Sequence, residues 1–65
     1  MTMKERRKAK GMTQAELATA ADVDQGSISH YEKGHWKPRY LVAKRIAEVL
    51  GCTVGELMRG FEETG

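Results

Sequence analysis

Apolar residues recur with a helical period along most of the chain. The clearest run is Tyr40–Leu50, where Ala43, Ile46, Ala47 and Leu50 follow the i, i+3, i+4, i+7 spacing and Lys44, Arg45 and Glu48 take the outer side. Gly51 suits the left-handed residue that closes such a helix. Residues 13–34 read as two short helices meeting across residues 20–23. Thr13 and Glu16 fit a capping box, with Met12 and Leu17 spaced as a hydrophobic staple around it. The signal restarts at Asp24, an expected N-cap, with Val23 and Ile28 in the staple positions, and Gly34 ends the second helix. Residues 1–10 predict a short helix closed by Gly11; its apolar content is thin, so it is expected to fray first. Thr53 and Glu56 open a fifth helix over residues 53–58, in which Val54, Leu57 and Met58 close the core. Residues 59–65 carry little structural signal and are expected to be mobile. The pattern is all-α, with five short helices.

Length and composition narrow the function. A chain of 65 residues makes one domain, here residues 1–65 with a core at about 3–58, and buries only a limited core. No apolar run approaches a membrane span or a signal sequence, so a soluble protein of the cytoplasm is expected, with no membrane partner. Cys52 is the single cysteine; it forms no internal disulfide and reads as a small buried hydrophobe. No Cys/His cluster has metal-ligand spacing, and no nucleophile–base pair or phosphate loop is visible. The expectation is a non-enzyme without cofactor, metal or small-molecule substrate. The net charge of +2 is uninformative, but its distribution is not. Lys4, Arg6, Arg7, Lys8 and Lys10 crowd the first segment; Lys33, Lys37, Arg39, Lys44 and Arg45 crowd the middle; Glu56, Glu62 and Glu63 gather at the end. A basic side with an acidic far end suits a polyanion, although a solvated charged face would look the same.

The spacing of Gln14, Leu17, Ala18, Val23, Ile28, Tyr31 and Glu32 resembles the Cro/C1-type helix-turn-helix, the DNA-binding domain of phage repressors and many small bacterial regulators. The resemblance runs from about Met3 to Met58. Three positions depart from it. Asp22 stands where the family usually has the glycine of the turn, Gly26 where a base-reading side chain is common, and Arg6 where leucine is common. Asp is one of the few residues that enter the left-handed region, so Asp22 is expected to be tolerated at a modest cost. The resemblance implies that Arg7 and Glu32 form a structural ion pair tying the first helix to the end of the third.

The helix over residues 25–33 is the candidate reader. With Ile28 pointing to the core, steps of about 100° per residue turn Tyr31 and Glu32 inward. Gly26, His30 and Lys33 then lie opposite, with Ser29 on the flank. A helix packed on one side and polar on the other can enter the major groove. Gln25 can pair with an adenine edge, and His30 can donate to guanine or accept from a base amino group. Ser27 and Ser29 can donate to phosphates or bases, and Lys33 is placed for a phosphate. Gly26 either admits a close backbone approach or gives up one reading position; the second is favoured. Asp24 reads as a cap rather than a reader, because a carboxylate near phosphates is unfavourable.

Further contacts are implied by the resemblance. Gln14 matches a phosphate-contacting glutamine, Arg39 an arginine that enters the minor groove, and Lys37 lies on the loop that follows the DNA backbone. Pro38 fixes that loop, and Tyr40 is expected half-buried with its hydroxyl free to reach phosphate. Trp36 has three readings, namely packing over the loop, stacking on a sugar, or touching a second subunit; His35 is expected to be simply exposed. By analogy, a homodimer would form through Leu57, Met58 and Phe61 and bind a roughly palindromic operator, although Phe61 could equally fold back on its own domain. The implied function is sequence-specific binding of double-stranded DNA by a transcriptional regulator, a repressor of the phage or prophage Cro/C1 kind. The alternatives are an antitoxin or restriction–modification controller with the same domain, or a protein-interaction adaptor.

Overall fold

Threonine–glutamate pairs set where three of the helices begin. The computed structural model describes residues 1–62, which form α1 (Met3–Ala9), α2 (Gln14–Ala21), α3 (Gln25–Glu32), α4 (Tyr40–Leu50) and α5 (Val54–Glu62). There is no strand among the described residues, and no helix among them is long and apolar enough to cross a membrane. At α2 the Thr13 hydroxyl accepts from the Glu16 amide at 3.0 Å while Glu16 accepts from the Thr13 amide at 2.8 Å. Thr53 and Glu56 make the same exchange at 2.9 and 3.0 Å before α5. A third box, Thr2 with Glu5 at 2.7 and 3.1 Å, opens α1. It has the same T-x-x-E spelling as the other two. The backbone amide and hydroxyl of Thr2 hold the Glu5 carboxyl below its ordinary range, and Thr53 does the same for Glu56.

The turn between α2 and α3 closes with paired backbone bonds. The Val23 amide donates to the Ala18 carbonyl at 2.9 Å and the Asp22 amide to the Thr19 carbonyl at 3.3 Å. This closure needs a left-handed residue, and Asp22 supplies it at φ 56° and ψ 50°, the one non-glycine with positive φ among the described residues. After α3 the same pair forms around Gly34, from His35 to His30 at 3.0 Å and from Gly34 to Tyr31 at 3.1 Å. The chain therefore doubles back over the last turn of α3.

Leu17, Ile28, Ile46 and Leu57, one from each of α2 to α5, are fully buried at the centre. Ala18, Ala21, Ala43 and Ala47 are buried beside them, and small residues at these points let the helices approach closely. α2 packs on α3 and α4, α4 packs on α5, and α5 packs on α1. Cys52 is half-buried against this core, and burial pushes its thiol pKa up.

Two expectations are corrected. Helix α5 does not stop at Met58 but continues to Glu62. Gly60 is buried where the backbone of Met1 crosses, and Phe61 is half-buried against the core, so tertiary contact orders a stretch whose local signal is weak. The rest of the expected tail, residues 63–65, lies outside the described residues. Second, Arg6, one of the basic residues crowding the first segment, is not wholly at the surface. It is half-buried, and its Nε is buried without a hydrogen-bond partner among the described residues.

Candidate nucleic-acid interface

Helix α3 is held along one side and at its end. Ile28 anchors its middle in the core, and Glu32 clamps its last turn to α1. The Arg7 guanidinium donates from Nε to Glu32 Oε2 at 2.7 Å and from a terminal nitrogen to Oε1 at 3.1 Å. Its third nitrogen donates to the Met12 carbonyl at 2.7 Å. Both side chains are nearly inaccessible, at 9% and 3% exposure. Burial raises the Glu32 pKa, but the hydrogen bonds from Arg7 and Gln14 and the charges of Arg7 and Lys4 outweigh it. The carboxyl is held below the usual glutamate range, and its hydrogen bond pushes the Arg7 pKa up.

Gln14 belongs to this network. Its amide nitrogen donates to Glu32 Oε1 at 3.0 Å, which uses one of its two N–H donors. The reason is position: the first residue of α2 lies against the last residue of α3. A second tie comes from α4. Arg45 donates to the carbonyls of Ala21 at 3.0 Å and Asp22 at 3.2 Å, pinning the turn before the reader. By its helical spacing Arg45 lies on the outer face of α4, and no periodicity signal marks a guanidinium that reaches across to a neighbouring turn.

The opposite side of α3 is open. Gln25, Gly26 and Lys33 are exposed, and Ser27, Ser29 and His30 are half-buried. Asp24 sits at the N-cap position with extended backbone, yet its side chain makes no cap bond. Its carboxylate instead lies over Gly26, where an added Cβ would come within 2.8 Å of Oδ2. In the loop after α3, Pro38 is buried and anchors the segment, while Lys37 and Arg39 are exposed, their side chains without an ion pair or hydrogen bond among the described residues. Tyr40 opens α4 but is 66% exposed rather than half-buried, whereas Val42 in the same turn packs against the core. Leu41, not singled out from sequence, is exposed beside it. Trp36 stacks on His30, with ring centroids 4.1 Å apart and planes 27° apart, and meets Tyr31 edge-on at 6.4 Å.

A helix-turn-helix family model matches residues 3–57. The chain belongs to the Cro/C1-type helix-turn-helix family. It is 43% identical over 49 residues to an uncharacterized HTH-type transcriptional regulator of Methanothermobacter thermautotrophicus, covering 75% of this chain and 71% of that one. It is 41% identical over 49 residues to the uncharacterized HTH-type transcriptional regulator YqaF of Bacillus subtilis, covering 75% and 64%. The crystal structure of the clp gene regulator ClgR from Corynebacterium glutamicum superposes with a TM-score of 0.82 at 26% identity, over 95% of this chain and 66% of that one. The chain thus spans about two thirds of the length of YqaF and of the ClgR chain.

Within this helix-turn-helix, α2 and α3 are the paired helices and α3 is the one with a free polar side. Of the residues proposed for a dimer contact, Leu57 is fully buried in the monomer and has no surface to offer, which removes it from that set. Met58 and Phe61 are half-buried on the core. Among the described residues no group of three or more His, Cys, Asp and Glu side chains converges as a metal site.

Proposed function

We propose that this helix-turn-helix protein is a transcriptional regulator that binds double-stranded DNA sequence-specifically, as a repressor of the Cro/C1 kind. The observation that carries the reading is the division of α3. One side is locked by Ile28 and the Arg7–Glu32–Gln14 network, and the other offers Gln25, Ser29, His30 and Lys33 beside a loop carrying Lys37 and Arg39. An α-helix of this kind fits the major groove, where base edges carry a distinct donor and acceptor pattern. Gln25 pairs with adenine, Lys33 and Lys37 neutralise phosphates, and Arg39 enters the adjoining minor groove, which is narrow and electronegative over A·T tracts. Family membership and the two HTH-type relatives support the regulator assignment. Two copies bind successive major grooves of a roughly palindromic operator.

Selection of binding sites from random duplexes tests this. Gln25→Ala should cost about 1–3 kcal/mol on the selected site and relax one position, while sparing non-specific binding. Lys37→Ala should weaken every sequence alike and reduce the salt slope by about one. A Gln25→Ala protein that loses affinity equally on all sequences would remove Gln25 from the readers.

A further inference from the structure

The left-handed turn at Gly34 folds the loop back so that three rings meet on the outer side of α3. The His35 amide donates to the His30 carbonyl at 3.0 Å, and this bond brings the two side chains together. His30 Nδ1 lies 3.3 Å from His35 Nδ1, and the ring centroids are 5.5 Å apart. Trp36 covers one face of the His30 ring at 4.1 Å. One nitrogen of His30 is therefore engaged and one ring face is covered. Nε2 has no partner among the described residues.

We propose that His35 and Trp36 are positioning residues for His30, fixing its ring so that Nε2 alone reads the DNA, as a donor to the N7 or O6 of a guanine. This rests on the reading of α3 as the helix that enters the groove. Trp36 sets the plane of the ring, and His35 sets its proton. A hydrogen bond between two Nδ1 atoms holds one proton and no more. If the pair is neutral and His35 donates, His30 accepts at Nδ1 and carries its own proton on Nε2. If the pair bears one added proton, both Nε2 atoms carry hydrogen, whichever Nδ1 holds the shared one. Only the neutral pair with His30 donating leaves Nε2 bare. An acceptor edge set against Nε2 selects the forms of the pair in which that nitrogen carries hydrogen. The exposed atom is then an N–H, which suits an acceptor edge, and guanine presents two acceptors in the major groove.

Binding-site selection with the full chain tests the assignment. His30→Ala should lower the preference for guanine at one base pair of the half-site about five- to tenfold, the scale of one polar contact to a base edge. His35→Ala and Trp36→Ala should reproduce that loss at the same base pair and leave the other positions unchanged. The double variant His30→Ala/His35→Ala should be no worse than His30→Ala alone, since a residue acting through another has nothing left to act on. Trp36→Phe keeps a ring for stacking and should retain the preference. The proposal is overturned if His35→Ala leaves the selected sequence unchanged, or if its loss adds to that of His30→Ala, which would make His35 a DNA contact in its own right. If the wild-type chain selects no duplex at all, the functional reading itself falls, and the proposal falls with it.

Discussion

At the residue scale, the Arg7–Glu32 pair is the most exposed to single changes. Glu32→Ala would leave the Arg7 charge buried and unpaired, at about 3–5 kcal/mol. That approaches the whole stability of a domain this small, so the variant should be largely unfolded by circular dichroism at room temperature. The folded pKa of Glu32 lies below its ordinary value of 4.5. The stability it contributes is therefore complete above about 4.5 and is lost as pH falls through the lowered folded value. Glu5 and Glu56 share that sign and add to the slope. Thermal melts should show the midpoint falling in that window, with a shallower fall for Glu32→Gln; an identical fall would exclude Glu32 as the source. Arg6 gives the opposite case. Its buried Nε lacks a partner among the described residues, so Arg6→Leu should raise stability by about 1 kcal/mol or more in urea unfolding, and a loss would mean that its aliphatic packing dominates. Asp22 was legible in advance because few residue types accept the left-handed region. The partners of Gln14 and Arg45 were not, because a side chain reaching across to another helix leaves no local pattern.

At the element scale, the helices with a full apolar period or a capping box were legible in the sequence. Tyr40–Leu50 follows from four core positions and a terminal glycine, and the three capping boxes share one spelling. The end of α5 was not legible, because what holds it lies at the far end of the chain. A Cβ at Gly60 would come 2.5 Å from the Met1 carbonyl oxygen, a backbone atom, whereas one at Gly55 would meet only Thr53 Oγ1 at 3.9 Å. Gly60→Ala should therefore destabilise by about 1–3 kcal/mol, as overpacking does. Gly55→Ala, on the same helix, should stabilise by up to about 1 kcal/mol through helix propensity. Equal effects in urea melts would show that the crossing at Gly60 is not a tight one. Asp24 illustrates the limit of cap signals: its position and backbone fit an N-cap, but its side chain turns over Gly26 and makes no cap bond.

At the scale of the whole molecule, charge and topology act together. The sequence shows basic residues crowding two segments, and the fold sets the exposed Lys33, Lys37 and Arg39 at the end of α3 and in the loop that follows. Affinity for DNA should fall linearly with the logarithm of salt, with a slope set by the number of phosphates neutralised. The family was legible from residue spacing alone, since the framework positions that fix two helices against each other also fix their spelling. The operator was not legible, because the reading positions are the ones the framework leaves free. On the proposed function, the open side of α3 is the surface that meets duplex DNA. Titrating the isotope-labelled protein with a selected duplex, and following amide chemical shifts in dilute buffer, tests that claim directly. The predicted result is a set of shifts concentrated on residues 25–30 and on the loop at 33–40, with the buried side of α4 and with α5 left unchanged. Shifts concentrated on α5, or no binding to any duplex at low salt, would contradict it.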